Sequence, residues 1–152
     1  MALRNIRYEG DEILRKKSRE IAQVDERTRI LMDDMVETMY ANEGIGLAAP
    51  QVGILRRVIV IDLGDGKVYK MVNPKITQKS GEETAPEGCL SVPETRGTVP
   101  RPMNITVEYL NENNEKVELE AEGLLARCIC HEIDHLDGIL FVDRVIEDVE
   151  EG

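Results

Sequence analysis

Apolar residues recur at helical spacing in two parts of the chain. Residues 25–42 begin with Asp25, a residue that can cap a helix, and continue with one apolar stripe. The stripe consists of Leu31, Met32, Met35, Val36 and Met39. A second helix is predicted over residues 122–138, where a glycine ends the pattern. A third, shorter helix is expected over residues 11–19.

Strand patterns fill the middle of the chain. The continuous aliphatic run of residues 58–63 predicts a buried strand, and Asp65-Gly66 is a turn signal before a return strand at residues 68–72. Residues 104–110 and 116–120 predict a second hairpin. Helix, several strands and a final helix together indicate the α+β class.

Residues 80–102 hold four prolines and three glycines among polar residues, so we expect an extended or looped segment there. No internal repeat or long linker divides the chain. Its 152 residues therefore predict a single domain spanning residues 1–152, with antiparallel strands around the C-terminal helix.

Composition narrows the range of partners. The formal net charge is −11, whereas nucleic acids and anionic membranes are bound by basic surfaces. The aliphatic run at residues 58–61 is far shorter than the ~18 residues of a membrane span. Three cysteines are a small and odd number, which does not suit a disulfide framework. The N-terminus shows no apolar core of a signal peptide. We therefore expect a cytoplasmic protein with reduced thiols.

The candidate chemistry lies in the C-terminal helix. Both histidines of the chain fall in the segment His131-Glu132-Ile133-Asp134-His135. Positions i and i+4 share a helix face, so His131 and His135 can bind one metal ion, while Glu132 can accept a proton from an attacking water. A surface helix with incidental histidines is the alternative, which the placement of every histidine in this pattern disfavours.

The third ligand must come from elsewhere. Gly138 fits one extended protease pattern, but Phe141 stands where that pattern needs a third histidine. The downstream acids Glu147, Glu150 and Glu151 lie in an acidic tail that is expected to be solvated.

Cysteine is the remaining candidate. Cys128 and Cys130 would point about 200° apart on the helix and are better interpreted as buried apolar residues. Cys89 lies between a proline-containing loop and a short apolar segment, where the chain can cross the helix. A Cys-His-His set leaves one coordination position open, as a catalytic site requires.

Three segments together resemble the peptide deformylase family. They are GIGLAAPQ at residues 44–51, EGCLS at residues 87–91 and HEIDH at residues 131–135, in the family's order, and residues 6–15 are also similar. The resemblance implies an enzyme that removes the formyl group from the N-terminal formyl-methionine of new polypeptides and releases formate. It also implies Cys89, His131 and His135 as ligands of one divalent metal ion.

The resemblance assigns further roles. Glu132 would be the general base, and the Gln51 side chain and the Leu90 backbone N–H would stabilise the oxyanion. Backbone near Ile45 and Gly46 would pair with the substrate. The methionine pocket would be lined by Leu124, Arg127 and Cys128.

Several expectations concern individual side chains and partners. Arg127 would pack its stem in the pocket and extend its head into water. Arg96 and Arg101 would hold the loop after Cys89 or pair with Asp134 or Glu87, and Cys130 replaces the glutamine of many family members. The implied ion is Fe²⁺, with Zn²⁺, Ni²⁺ or Co²⁺ also accepted. The ribosome is a candidate partner, although the chain lacks the basic C-terminal helix by which some members dock.

Two other functions fit part of the pattern. A general zinc peptidase would use the same helix, but the missing third His or Glu argues against it. A metal-binding protein without catalysis would be expected to have lost Glu132 or Gln51, and both are present.

Overall fold

Two helices, Glu26–Ala41 and Gly123–Leu136, pack on opposite faces of a five-stranded sheet in the computed structural model, which describes residues 2–148. The elements, in chain order, are α1 (Glu26–Ala41), β1 (Gly46–Ala48), β2 (Val58–Asp62), β3 (Val68–Ser80), β4 (Glu83–Cys89), β5 (Val92–Arg101), β6 (Asn104–Leu110), β7 (Lys116–Glu122), α2 (Gly123–Leu136) and β8 (Glu147–Asp148). Short 3₁₀ helices cover Glu12–Arg15, Ala49–Val52 and Phe141–Asp143.

Two antiparallel sheets carry the fold. The larger has the strand order β1-β2-β3-β6-β7, and the smaller has the order β4-β5-β8. Every pair of neighbouring strands in these sheets is antiparallel. The α+β class with antiparallel strands around a C-terminal helix is therefore confirmed.

Strand β2 explains why its sequence is aliphatic throughout. Side chains alternate between the faces of a strand. Val58 and Val60 belong to the cluster formed with the apolar stripe of α1, whereas Ile59 and Ile61 belong to the cluster formed with α2. All four are fully buried because both faces of the sheet are covered.

Both predicted helices are confirmed, with their ends set by local chemistry. At the start of α1, Oδ1 of Asp25 accepts a hydrogen bond of 3.0 Å from the backbone N–H of Thr28. Beyond the end of α2, Gly138 has φ +76°, and a Cβ there would lie 2.5 Å from the carbonyl oxygen of Arg15. Only glycine tolerates both conditions.

The helix predicted at residues 11–19 was too long. Only Glu12–Arg15 are helical, capped by the Asp11 side chain. Further along, the backbone N–H of Ser18 donates to the carbonyl oxygen of Leu136 at 2.7 Å, and that of Arg19 donates to the carbonyl oxygen of Leu55 at 3.0 Å. Those tertiary hydrogen bonds replace the ones that a longer helix would make.

The sequence pattern predicted fewer strand residues between residues 68 and 102 than the structure contains. β3 continues to Ser80, well beyond the predicted residue 72, because it pairs first with β2 and then with β6. Most of the segment expected to be extended or looped is extended, because β4 and β5 pair as a hairpin with Leu90 and Ser91 between the pair Cys89 and Val92.

The acidic tail is only partly described. Glu147 belongs to β8, opposite Thr98 of β5, whereas Glu150 and Glu151 lie outside the described residues. Within residues 2–148, none of the helices has the length and apolarity needed to cross a membrane.

Candidate active site

Cys89 and the two histidines converge in the structure. α2 places His131 and His135 one turn apart and buried, and the end of β4 brings Cys89 against them. Sγ of Cys89 lies 3.3 Å from Nε2 of His135. One ligand atom from each residue lies within 4.8 Å of the others, so all three can reach one ion.

Glu87 orients the first histidine. Its Oε1 lies 2.8 Å from Nδ1 of His131, which leaves the other ring nitrogen free to face Cys89 and His135. The ring of Phe141 stacks on the ring of His131 at a centroid distance of 6.0 Å. Phe141 is therefore a buried packing partner of a histidine at the position where one protease pattern has a ligand.

The electrostatics of the cluster suit a cation. Burial disfavours a charged imidazole, but the negative charge of Glu132 and the hydrogen bonds to Cys89 and Glu87 outweigh it and raise the pKa of His131 to about 10. Burial and the charge of His131 lower the pKa of His135 well below its usual range, which keeps that ring neutral. A thiolate and two imidazoles fit a divalent transition metal. The residues present therefore fit the implied ion.

Glu132 lies beside this cluster without joining it. Its carboxylate is buried, and its Oε1 has no hydrogen-bond partner within residues 2–148. Burial raises the pKa of Glu132 to about 7. A carboxyl group with that pKa can accept and return a proton near neutral pH.

Gln51 and the turn after Cys89 form the other side of the site. Oε1 of Gln51 accepts a hydrogen bond of 2.9 Å from the backbone N–H of Ala48, which fixes the amide. Its Nε2 donates to Oγ of Ser91 at 3.0 Å and lies 3.5 Å from Sγ of Cys89. Leu90 occupies the turn between Cys89 and Ser91, so its peptide lies next to the Gln51 amide.

A cleft of about 460 Å³ opens onto these groups. The residues predicted to bind substrate all line it, and they are Ile45, Gly46, Leu124 and Cys128. Ile45 and Leu124 are exposed at 45% and 55%, and both are large apolar side chains. The cleft therefore combines an apolar rim with a polar floor.

The expectation for Arg127 was wrong. Its head is buried, with Nη1 2.6 Å from Oε2 of Glu87 and 2.9 Å from the carbonyl oxygen of Val99. Nη2 donates to the carbonyl oxygen of Glu83 at 2.6 Å. The guanidinium therefore ties α2 to β4 and β5, although the side chain still lines the cleft.

Arg101 completes a buried ion network, whereas Arg96 is exposed at the edge of the cleft. Arg101 binds both oxygens of Glu87, at 2.9 and 3.0 Å, and Oδ2 of Asp134 at 2.6 Å. The pKa of Glu87 falls to about 2 because its hydrogen bonds to His131 and Arg101 outweigh the cost of burial. The carboxylate thus stays charged between two arginines and a histidine.

Cys128 and Cys130 are buried, as predicted from the helix geometry. Burial raises their pKa values to about 12 and 11, so both remain neutral thiols. Neither belongs to the group that can share an ion.

Two residues of the site were not assigned a role in it by sequence reasoning. Glu87 was considered only as a partner for an arginine, and Ser91 only as part of a motif. The position of Glu87 two residues before Cys89 was a usable signal, because alternate residues of a strand point to the same side.

Comparisons with known proteins agree with this geometry. The sequence profile described as polypeptide deformylase matches residues 3–151. A peptide deformylase of Acetivibrio thermocellus is 56% identical over 151 residues, covering 99% of this chain and 88% of that protein. Peptide deformylase 1 of Clostridium acetobutylicum is 55% identical, covering 97% of each chain.

Solved structures agree as well. The peptide deformylase of Thermotoga maritima superposes with a TM-score of 0.91 at 44% identity, covering 94% of this chain and 97% of that one. The peptide deformylase of Ehrlichia chaffeensis in complex with actinonin gives a TM-score of 0.93 at 41% identity, covering 95% and 90%.

Proposed function

Because the chain belongs to the polypeptide deformylase family, we propose that it hydrolyses the formyl group of N-formyl-methionyl polypeptides and releases formate. The observation that carries the proposal is one cleft lined by two metal-type ligands, Cys89 and His131, with a buried carboxylate and a fixed amide donor beside them and His135 within reach of the same ion. The carboxylate belongs to Glu132 and the amide to Gln51.

Cys89, His131 and His135 are the proposed ligands of a divalent metal ion. When bound, the ion supplies a Lewis acid that makes water acidic enough to act as a nucleophile near neutral pH. The contact between Glu87 and His131 supports this assignment, because it holds the imidazole in one orientation with Nε2 toward the other ligands.

Glu132 is the proposed proton carrier. Its buried carboxylate accepts a proton from the water that attacks the formyl carbon, and it later delivers a proton to the leaving methionine nitrogen. The bond between carbon and nitrogen then breaks, which leaves formate and a free amine. A pKa of about 7 suits both transfers.

Gln51 and Leu90 are the proposed oxyanion donors. The carbonyl oxygen gains negative charge during attack, and donors fixed at that place contribute about 3–4 kcal/mol each. Nε2 of Gln51 donates to Ser91 Oγ at 3.0 Å and to Cys89 Sγ at 3.5 Å, and the oxyanion would take the place of the longer contact. The backbone N–H of Leu90 would be the second donor.

Substrate binding is proposed along β1. This strand is at the edge of the larger sheet and borders the cleft through Ile45 and Gly46. An extended peptide can add to such an edge by backbone hydrogen bonds. Leu124 and Cys128 would then contact the methionine side chain.

The finer assignments rest on the same argument. Fe²⁺ is the proposed ion, with Zn²⁺, Ni²⁺ or Co²⁺ as substitutes, since a thiolate and two imidazoles accept each of them. Formylated N-termini emerge from ribosomes, so the cytoplasm is the proposed location and the ribosome a proposed partner. Residues 1–152 form the proposed single catalytic domain.

The deciding experiment measures formate released from a formyl-Met-Ala peptide. The protein is loaded anaerobically with Fe²⁺ or Ni²⁺, and Glu132→Ala is assayed beside it. We expect steady formate release by the native chain and a loss of about 100-fold or more in the variant, with the metal retained.

Two results would contradict the proposal. One is the absence of formate release by the metal-loaded native protein, and the other is full activity in Glu132→Ala. Cleavage at internal peptide bonds, measured with an unformylated peptide, would instead support a general peptidase.

A further inference from the structure

The segment before the first 3₁₀ helix contacts both sides of the cleft through its backbone. The N–H of Arg7 donates to the carbonyl oxygen of Gln51 at 2.7 Å. Two residues later, the N–H of Glu9 donates to the carbonyl oxygen of Ser91 at 2.8 Å. Residues 7–9 therefore bridge the two loops that carry the proposed oxyanion donors.

The bridge joins parts of the molecule that no strand pairing joins within residues 2–148. Gln51 follows β1 of the five-stranded sheet, whereas Ser91 lies in the turn of the three-stranded sheet. The Gln51 amide also donates to Oγ of Ser91 at 3.0 Å. Residues 7–9 close a ring of three hydrogen bonds around these two loops.

The segment is itself anchored on both sides. Upstream, the backbone N–H of Arg4 donates to Oγ1 of Thr38 in α1 at 2.9 Å. Downstream, the N–H of Asp11 donates to the carbonyl oxygen of Tyr8 at 3.0 Å, and Gly10 between them has φ +104°. Such a turn with a positive φ at its third residue is of type II. The bridge is therefore held at both ends.

We propose that residues 7–9 are a positioning element for the oxyanion donors. The proposal rests on the proposed function. Donors lose much of their effect when they are displaced by fractions of an ångström. The backbone of residues 7–9 fixes the distance between the Gln51 and Ser91 loops, and thereby the distance between the Gln51 amide and the Leu90 N–H.

A single substitution can remove one of these backbone hydrogen bonds while disturbing little of the surrounding structure. Glu9→Pro deletes the N–H that binds Ser91 O, and Glu9 is the second residue of the type II turn, where proline is common. The Glu9 side chain is exposed and makes no side-chain hydrogen bond or ion pair within residues 2–148. Its charge acts on Arg15 at longer range, and both Glu9→Pro and its control lose that charge. Glu9→Ala is the matched control, because it shortens the same side chain and keeps the N–H.

The readouts are kcat and KM for formyl-Met-Ala peptides, metal stoichiometry and Tm. We expect Glu9→Pro to lower kcat by about 10- to 100-fold relative to Glu9→Ala, with similar KM, metal content and Tm. Equal kcat values for the two variants would overturn the proposal. An inactive native protein in the same assay would instead refute the proposed function, so the two failures are distinguishable.

A double-mutant cycle with Gln51→Glu separates positioning from general loosening of the fold. If the bridge acts through the donors, Glu9→Pro should lower kcat by a much smaller factor once the Gln51 donor is gone. The same factor in both backgrounds would contradict the proposal. Should Glu9→Pro not fold, Arg7→Pro compared with Arg7→Ala tests the contact with Gln51 in the same way.

Discussion

Gly46 and Glu132 leave no room for a side chain between them. A Cβ atom built on Gly46 would lie 2.6 Å from Oε2 of Glu132 and 3.2 Å from its Cδ. The glycine is therefore needed for space, because the proposed proton carrier occupies the volume that any other residue would fill. The contact also sets how closely β1 approaches α2.

Gly46→Ala is expected to lower kcat by about 100-fold, since the Glu132 carboxylate must move away from the attacking water. Formate release measures the effect on kcat, and unfolding in urea measures the effect on stability. Gly64→Ala is the control. Its Cβ meets nothing within 4 Å, but its φ of +85° strains alanine, so it should cost about 1 kcal/mol of stability and leave kcat unchanged. Equal kcat values would argue against the tight contact.

Gln51→Glu should lower kcat by about 100- to 1,000-fold. A glutamate can still accept the hydrogen bond from the Ala48 N–H, but it has no amide hydrogens for the oxyanion. Ser91→Ala removes only the acceptor that orients the amide, so it should have a smaller effect in the same assay. A larger loss in Ser91→Ala would assign the donor role elsewhere.

Cys89→Ser should bind metal much more weakly, because a hydroxyl replaces the thiolate. The metal content of purified protein, measured by elemental analysis, should fall well below one ion per chain. Cys128→Ser and Cys130→Ser should keep about one metal ion per chain, since both thiols are buried and neutral. An essential role for Cys130 would show that the proposed ligand set is wrong.

Glu87→Gln should destabilise the fold by about 3–5 kcal/mol, the usual cost of breaking a buried ion pair. The substitution leaves Arg127 without its buried carboxylate partner and Arg101 with Asp134 alone. Urea unfolding measures the loss. Glu26→Gln is the control, because its exposed pair with Arg29 should contribute less than 1 kcal/mol. A similar change in both variants would contradict the importance of the network.

Elements with strong local patterns were predictable. The stripe of α1, its cap at Asp25 and the helix with His131 and His135 follow from residue spacing alone. The hairpin of β6 and β7 was also correct, since alternation and a polar turn specify it locally. Burial on both faces of β2 was readable from its continuous aliphatic run.

Elements without a strong local pattern were only partly predictable. β4 and β5 carry Pro86, Pro93 and Pro100, so the sequence left open whether this segment is extended or looped, and their pairing with each other makes it a hairpin of strands. β3 extends past its apolar part because β6 supplies a second partner. Arg127 was expected to reach water, but its partner Glu87 lies 40 residues away in sequence, and a pairing across that separation does not follow from local spacing.

The sequence by itself determined the chemistry available to this protein: two histidines and a glutamate on one helix turn, a cysteine in a separate motif and a glutamine in a third. Only the tertiary structure decided which atoms meet, from the contact between Gly46 and Glu132 to the backbone bridge of residues 7–9. Such contacts join residues that are far apart in the sequence through shape and backbone hydrogen bonds, so a local pattern of residue types does not encode them.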